Sequence, residues 1–190
     1  LRLVCGSRLG VVGTGVAGLR AIATARGLGA VVYATDIRPE ANEQAQSLGA
    51  KIVESGIPSE IAVSSDGKHA NKLSEKWLAV ERDHLREIVA KADIIFLSAL
   101  VFGKRAPIII DEEMVKSMKP GSYIIDISID QGGNCAVTKA GEVVNYFGIQ
   151  VDGTKNIPGM LPTSSTWMFA QNIYNLLKYL VKDNEVVLDL

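Results

Sequence analysis

Short apolar runs alternate with longer amphipathic segments along most of the chain. This alternation is typical of an α/β sheet in which helices connect parallel strands. The predicted strands are 9–12, 30–35, 51–53, 93–97, 122–127, 143–146 and 149–151. The predicted helices are 15–27, 39–48, 74–90, 111–119 and 165–181. We therefore expect a doubly wound parallel sheet in one domain over 9–182, followed by a C-terminal tail at 183–190.

One segment breaks this rhythm. Residues 55–73 are mostly polar and contain Gly56, Pro58 and the pair Asp66-Gly67. A connection of this length inside a compact domain is usually a functional lid or a disordered insertion. The sequence therefore predicts an inserted loop near 55–73.

The composition is that of an ordinary globular protein. Of its 190 residues, 47% are hydrophobic and 22% are charged, with 20 Lys and Arg against 21 Asp and Glu. These values argue against a disordered chain, and the lack of a basic run argues against a nucleic-acid footprint. Residues 156–177 carry no charge, but Pro158, Gly159 and Pro162 interrupt them, so we predict no transmembrane segment.

Cysteine and histidine positions do not predict a metal site. Cys5 and Cys135 lie far apart and lack metal-ligand spacing, which fits a reducing compartment better than a disulfide scaffold. His69 and His84 are also too distant to suggest a metal pair.

The sharpest motif is Gly13-Thr14-Gly15-Val16-Ala17-Gly18, which follows a predicted strand and opens a predicted helix. In a dinucleotide-binding loop the first glycine permits the tight turn, the second lets the backbone approach a pyrophosphate, and the third allows close helix–strand packing. The free N–H groups at the start of the helix favour phosphate binding. The motif therefore predicts a dinucleotide site.

Asp36, at the end of the next predicted strand, bears on the choice of cofactor. A carboxylate there accepts hydrogen bonds from ribose hydroxyls and repels a 2′-phosphate, which favours NAD(H) over NADP(H). Arg38 leaves the alternative open, because a guanidinium at this place suits a 2′-phosphate.

Two further loops are expected at the same edge of the sheet. The polar run Asp130-Gln131-Gly132-Gly133-Asn134-Cys135 follows one predicted strand, and residues 98–107 follow another. Ligands of open α/β sheets bind beyond the carboxyl ends of the strands. Both loops are therefore candidate parts of the site.

From about Arg8 to Leu180 the chain resembles the NAD(H)-binding component, domain I, of proton-translocating nicotinamide nucleotide transhydrogenase, and more distantly alanine dehydrogenase. The run Gly132-Gly133-Asn134-Cys135 and the polar insertion resemble transhydrogenase and not alanine dehydrogenase. The segments that carry the resemblance are 11–19, 34–39, 99–100, 103–104, 106–107, 120–122, 132–135 and 157–163.

The resemblance implies a Rossmann-type domain that exchanges hydride directly between its NAD(H) and NADP(H) on a partner domain, as in the Re/Si-specific enzymes. It implies coupling to proton translocation by a membrane-spanning domain. It also implies a homodimer and a soluble location at the cytoplasmic or matrix face of an energy-transducing membrane. The expected cofactor-binding residues are Gly13, Gly15, Val16, Ala17, Gly18, Asp36, Ile37, Arg38, His69, Ala99, Leu100 and Gly133.

The chain departs from the family at three places. The family's mobile loop maps to about 64–73, where its Gly-Tyr-Ala-Lys is replaced by Lys68-His69-Ala70-Asn71. Its Leu-Ile-Pro-Gly is replaced by Leu100-Val101-Phe102-Gly103. Only residues 1–8 precede the first predicted strand, so we expect the family's companion domain to be largely absent and 1–8 to be an N-terminal remnant.

Two alternatives remain at this point. Ile129-Asp130-Gln131-Gly132-Gly133 resembles the segment that carries the catalytic aspartate of alanine dehydrogenase, so a soluble NAD-dependent enzyme would use Asp130. The other alternative is an NAD(H)-binding fragment without turnover. No metal is expected under any of these hypotheses.

Overall fold

In the part of the chain that the computed structural model describes, residues 5–64, 69–182 and 185–186, seven strands form one sheet. Their order across the sheet is β3-β2-β1-β4-β5-β7-β6. The chain thus moves outward from β1 to β3 and returns to the other side of β1 at β4. The strands are β1 (Arg8–Val12), β2 (Val31–Thr35), β3 (Lys51–Ile52), β4 (Ile94–Leu97), β5 (Tyr123–Asp126), β6 (Val143–Tyr146) and β7 (Ile149–Asp152).

Helices cover both faces of this sheet. Successive residues of a strand point to opposite faces, so β1 divides its side chains between two cores. Leu9 and Val11 pack with Ile22 on one face, whereas Val12 packs with Leu85 on the other. These helices are α1 (Val16–Gly27), α2 (Pro39–Ser47), α3 (Ser59–Ala62), α4 (Glu75–Lys91) and α5 (Glu112–Ser117). One more helix, α6 (Pro162–Leu180), comes after the last strand of the sheet along the chain.

The predicted doubly wound α/β fold of Rossmann type is therefore confirmed. All strand pairs of the large sheet are parallel except β6 and β7, which pair antiparallel. This antiparallel edge was not predicted from the sequence pattern. Phe147 and Gly148, both at positive φ, form a tight turn, and a hairpin joins antiparallel strands.

Several predicted boundaries also differ from the structure. β5 ends at Asp126, and Ile129–Gln131 is a short 3₁₀ turn, because the Asp126 carboxylate accepts the N–H of Ser128 and bends the chain out of the sheet. The final helix begins at Pro162 and not at Ser165, since proline is tolerated in a first helical turn. The predicted long loop contains α3, and its residues 65–68 lie outside the described residues.

The chain divides into two compact units, residues 1–155 and 156–190. The first holds the seven-stranded sheet. The second holds a 3₁₀ turn (Ile157–Met160), α6, and a short antiparallel pair formed by β8 (Val181–Lys182) and β9 (Glu185–Val186). The predicted domain over 9–182 spans this boundary. Residues 1–4 of the predicted N-terminal remnant and residues 183–184 and 187–190 of the predicted C-terminal tail lie outside the described residues.

None of the helices in the described ranges is long and apolar enough to cross a membrane. Among the same residues, no group of three or more His, Cys, Asp or Glu side chains is arranged to hold a metal ion.

Candidate functional site

A cleft of about 560 Å³ opens at the carboxyl ends of β1, β2 and β4. The strand order reverses between β1 and β4, and a doubly wound sheet leaves a crevice at such a point. The volume is in the range of small-molecule and cofactor sites. All residues that line the cleft belong to the first unit.

The three glycines of the first loop differ in what surrounds them. Gly13 has φ +87°, and a Cβ there would lie 2.7 Å from the backbone nitrogen of Ala99. A Cβ at Gly18 would lie 2.0 Å from the carbonyl oxygen of Gly13. A Cβ at Gly15 would have no atom within 4 Å. Gly13 and Gly18 are thus required by the fold, whereas the space beside Gly15 is left open.

The same loop presents the start of α1 to the cleft. Gly15 is the N-cap residue of α1, and no side chain caps it. Val16 and Ala17, in the first turn, line the cleft. The first N–H groups of a helix have no partner within the helix, and they carry the positive end of its dipole. The arrangement can bind an anion such as a pyrophosphate.

Asp36 lies at the carboxyl end of β2 and is held from several sides. Its Oδ2 accepts the backbone N–H of Thr14 at 2.9 Å, which ties it to the glycine loop. Asn42 of α2 bonds both backbone groups of Asp36, since its Oδ1 accepts the N–H at 2.9 Å and its Nδ2 donates to the carbonyl at 2.8 Å. The carboxylate therefore has a fixed position at the rim of the cleft.

Arg38 forms a fork on the same carboxylate. Its Nε donates to Oδ1 and its Nη2 to Oδ2 of Asp36, each at 3.0 Å. The hydrogen bond to Asp36 raises the pKa of Arg38, although desolvation opposes this effect. The guanidinium is thus paired with the carboxylate.

A second acid lines the cleft from α4. The side chain of Glu81 is only 3% exposed and is on the buried face of the helix with Leu78 and Leu85. Its pKa is raised to about 7, chiefly by burial and in addition by the negative charge of Asp36, while the positive charge of Arg82 opposes this rise. Glu81 is therefore a carboxyl group that is partly protonated near neutral pH.

Asn134 joins the two loops that follow β4 and β5. Its Oδ1 accepts the N–H of Ala99 at 3.0 Å, and its Nδ2 donates to the carbonyls of Ala99 at 2.9 Å and Pro107 at 2.8 Å. Ser98 adds a bond from its hydroxyl to the carbonyl oxygen of Gly13 at 2.8 Å. The backbone that follows β4 is thereby fixed against the glycine turn.

Gly133 lies in the loop that follows β5, next to the carboxylate of Asp126. It has φ +81°, and a Cβ there would lie 2.8 Å from Oδ2 of Asp126. Asp126 is buried and accepts three backbone N–H groups, from Ser128, Asn134 and Cys135. Gly133 thus permits the turn that brings Asn134 under the Asp126 carboxylate and toward Ala99.

The rim of the cleft carries aromatic and apolar side chains. The ring centroids of His69 and Phe102 are 5.8 Å apart and tilted by 46°. Phe102 is 87% exposed, and Leu100 is 48% exposed. His69 of the predicted lid and the loop after β4 therefore meet at the mouth of the cleft.

Ten of the twelve predicted cofactor-binding residues line the cleft, and Gly18 and Gly133 do not. Asp130, the candidate of the alanine dehydrogenase alternative, is also outside the lining, and its Oδ1 lies 3.9 Å from Nζ of Lys155. The ten residues are Gly13, Gly15, Val16, Ala17, Asp36, Ile37, Arg38, His69, Ala99 and Leu100.

Three further residues that shape the site were not among the predicted site residues. Thr14 and Asn42 position Asp36, and no sequence pattern distinguishes them from ordinary polar residues. Glu81 did have a signal, because it is three residues after Leu78 and four before Leu85, on the apolar face of a predicted helix. An acid on such a face is a candidate for a buried titratable group.

Comparisons with known proteins agree with this geometry. A family model described as alanine dehydrogenase/PNT, C-terminal domain, matches residues 3–189. A relative from Rhodospirillum rubrum, named as the first part of an NAD(P) transhydrogenase subunit alpha, is 40% identical over 171 residues. These residues cover 90% of this chain and 44% of the relative.

Two solved structures are also similar to this chain over most of its length. The structure of transhydrogenase from Sinorhizobium meliloti matches 97% of this chain and 50% of its own, with a TM-score of 0.73 and 36% identity. A structure of L-alanine dehydrogenase matches 87% of this chain and 42% of its own, with a TM-score of 0.69 and 26% identity.

The chain therefore spans about half the length, or less, of these relatives. The resemblance deduced from the sequence motifs is confirmed. The matched range takes in the glycine loop, Asp36 and Asn134 together. The chain belongs to the alanine dehydrogenase/PNT C-terminal domain family.

Proposed function

We propose that this chain is the NAD(H)-binding component of a nicotinamide nucleotide transhydrogenase. It would exchange hydride between NAD(H) held here and NADP(H) held by a partner domain, coupled to proton translocation by a membrane-spanning domain. The observation that carries the proposal is the cleft in which the uncapped start of α1, the open space beside Gly15 and the Asp36 carboxylate meet. The similarity to transhydrogenase alpha subunits supports the choice of enzyme.

The residues present fit a dinucleotide. The gap beside Gly15 lets a pyrophosphate approach the N–H groups of Val16 and Ala17. Asp36 has acceptor oxygens for ribose hydroxyls at the end of β2. In addition, the hydroxyl oxygen of Thr35, which lines the cleft, is buried without a hydrogen-bond partner among the described residues. A buried polar atom of this kind fits a cleft that receives a polar ligand.

The pairing of Arg38 supports NAD(H) over NADP(H). The guanidinium is bound to the Asp36 carboxylate by two bonds of 3.0 Å, so it is not a free cation for a 2′-phosphate. The carboxylate also repels such a phosphate. The nicotinamide would supply the hydride chemistry, and the chain would bind and orient the cofactor without an acid or base of its own.

The position of Asp130 favours transhydrogenase over an alanine dehydrogenase-like enzyme. Its side chain is 45% exposed and lies near Lys155, away from the residues that line the cleft.

The proposal includes a homodimer that works at the cytoplasmic or matrix face of an energy-transducing membrane. The name of the Rhodospirillum rubrum relative, which describes a portion of a subunit, supports the existence of partner subunits.

Calorimetric titration of the chain with NADH and with NADPH tests nucleotide binding. We expect saturable binding of NADH and much weaker binding of NADPH. Gly15→Ala should weaken NADH binding roughly tenfold or more, because its Cβ projects where the pyrophosphate approaches. Gly27→Ala is the matched control, since a Cβ there also meets no atom within 4 Å. Preference for NADPH, or unchanged NADH affinity in Gly15→Ala, would contradict the proposed site.

Hydride exchange is tested in the membrane assembly that contains this chain. Reduction of an NAD analogue by NADPH should occur without alanine, and it should drive proton movement across vesicles. Alanine-dependent formation of NADH by the same assembly would instead support the alanine dehydrogenase alternative.

A further inference from the structure

Glu81 differs from the other buried carboxylates of the first unit. Asp36 and Asp126 each accept several hydrogen bonds from fixed donors. Glu81 is as deeply buried, at 3% exposure, yet no described residue donates a hydrogen bond to it. Its carboxyl group lines the cleft. A buried carboxyl without donors is unfavourable in its ionised form and is a natural place for a proton.

The charges around Glu81 differ in sign and position. Asp36 faces it from the end of β2, and Arg82 is its neighbour on α4. The guanidinium of Arg82 is engaged elsewhere, since it binds the Glu75 carboxylate and donates to the carbonyl of Ile108 at 2.7 Å. The remaining charged or titratable residues that line the same cleft are Arg38, His69, Lys72 and Arg105.

The two acids of the cleft therefore lie in different surroundings. Asp36 is paired with the guanidinium of Arg38, whereas burial and a nearby negative charge raise the pKa of Glu81 to about 7. Burial and a nearby negative charge commonly hold one acid of a site in its neutral form at neutral pH. A ligand that covers the cleft removes more water from Glu81 and favours its neutral form further.

We propose that Glu81 is a positioning residue that binds the adenosine end of NAD(H) in its protonated form, so that binding of the cofactor takes up a proton. The inference rests on the proposed function. A neutral carboxyl offers one O–H donor and one acceptor oxygen, which suits the hydroxyls of a ribose or the edge of a purine. The ionised group offers acceptors only and lies near the negative charge of Asp36.

Calorimetric titration of the full chain with NADH between pH 6.5 and 8.5, in buffers of different ionisation enthalpy, measures this proton directly. The wild-type chain should take up close to one proton per NADH at the upper end of this range. Its Kd should rise up to about 25-fold from pH 6.5 to 8.5, because only the protonated fraction binds. Glu81→Gln, which is permanently neutral, should bind with a Kd near the low-pH wild-type value at every pH and without proton uptake.

Glu87→Gln is the matched control, because Glu87 is on the same helix and its side chain is 80% exposed. This variant should retain the proton uptake of the wild type. Proton uptake that persists in Glu81→Gln, or a folded Glu81→Gln that fails to bind NADH at any pH, would overturn the role of Glu81. Wild-type chain that binds NADH with no proton exchange would overturn it as well. Failure of the wild type to bind NADH at all would instead contradict the proposed function.

Discussion

Asp36 and Asp126 are two aspartates at the carboxyl ends of parallel strands, and the structure uses them in opposite ways. Asp36 lies just beyond β2, lines the cleft, and is paired with a guanidinium that is 28% exposed. Asp126 ends β5, is 1% exposed, and accepts backbone N–H groups of the turn that follows. The first carboxylate faces a site for a ligand, and the second one organises a loop.

The difference arises from the chain segment that follows each strand. After β2 the chain enters α2 through Arg38 and Pro39, so the carboxylate stays at the rim of the crevice. After β5 the chain turns back at Gly132 and Gly133, both at positive φ, and encloses its carboxylate. Burial raises the pKa of Asp126, although its backbone N–H donors oppose this effect. The same residue type at equivalent strand ends therefore does not imply the same role.

Replacement of Asp126 by asparagine should have the largest effect on stability. The amide has one acceptor oxygen in place of two, and its NH₂ group would face buried N–H donors. We expect a loss of about 4 kcal/mol in the free energy of unfolding, since bonds to a buried charged group are each worth about 1.5–3 kcal/mol. Urea unfolding followed by circular dichroism measures it. Asp83→Asn, at an exposed site on α4, is the control, and a loss below about 1 kcal/mol for Asp126→Asn would refute the loop-organising role.

Glu81 adds a third kind of carboxyl group to this comparison, buried in the cleft but without donors among the described residues. Its pKa rises from 4.5 unfolded to about 7 folded, so the folded state holds a proton that the unfolded state loses between these values. Wild-type stability should therefore decline as pH increases from about 4.5 to above 7, by up to about 3 kcal/mol from this group. Glu81→Gln should lack this decline. Urea unfolding of both proteins at pH 5 and pH 8 measures this difference. An equal change in the free energy of unfolding for the two proteins would show that folding does not raise the pKa of Glu81.

The periodic features of the chain were predictable from its sequence, and the contacts between distant residues were not. Alternation of apolar runs and helical stripes indicated the strands and most helix limits, because burial on a sheet imposes those periods. The glycine loop was recognisable because the fold requires glycine at Gly13 and Gly18, where a Cβ would collide with backbone. Asp36 was recognisable from its position at the end of the next predicted strand. The antiparallel β6 was not visible, because a strand's direction depends on its partner.

The role of Gly133 shows where motif reasoning stops. The sequence placed the polar run 130–135 at the correct edge of the sheet and made Gly133 a candidate contact of the cofactor. In the structure Asn134 makes the connection to Ala99 and Pro107, while Gly133 permits its turn. A run of consecutive residues in a turn points in several directions, and only the hydrogen bonds determine which residue reaches the site.

Asp36→Asn completes the comparison with the smallest expected loss of stability and a large loss of binding. Arg38 is partly exposed and regains water when its partner loses charge, so the ion pair contributes little to folding. We expect a loss of about 1–2 kcal/mol, from the Arg38 pair and the Thr14 bond together. Binding of NADH should weaken roughly tenfold or more, because an amide oxygen is a poorer acceptor for two ribose hydroxyls than a carboxylate. Urea unfolding and calorimetric titration of the same preparation measure both. If Asp36→Asn destabilised the chain as much as Asp126→Asn and left NADH binding unchanged, the two aspartates would share one structural role, and the division between ligand site and loop support would not hold.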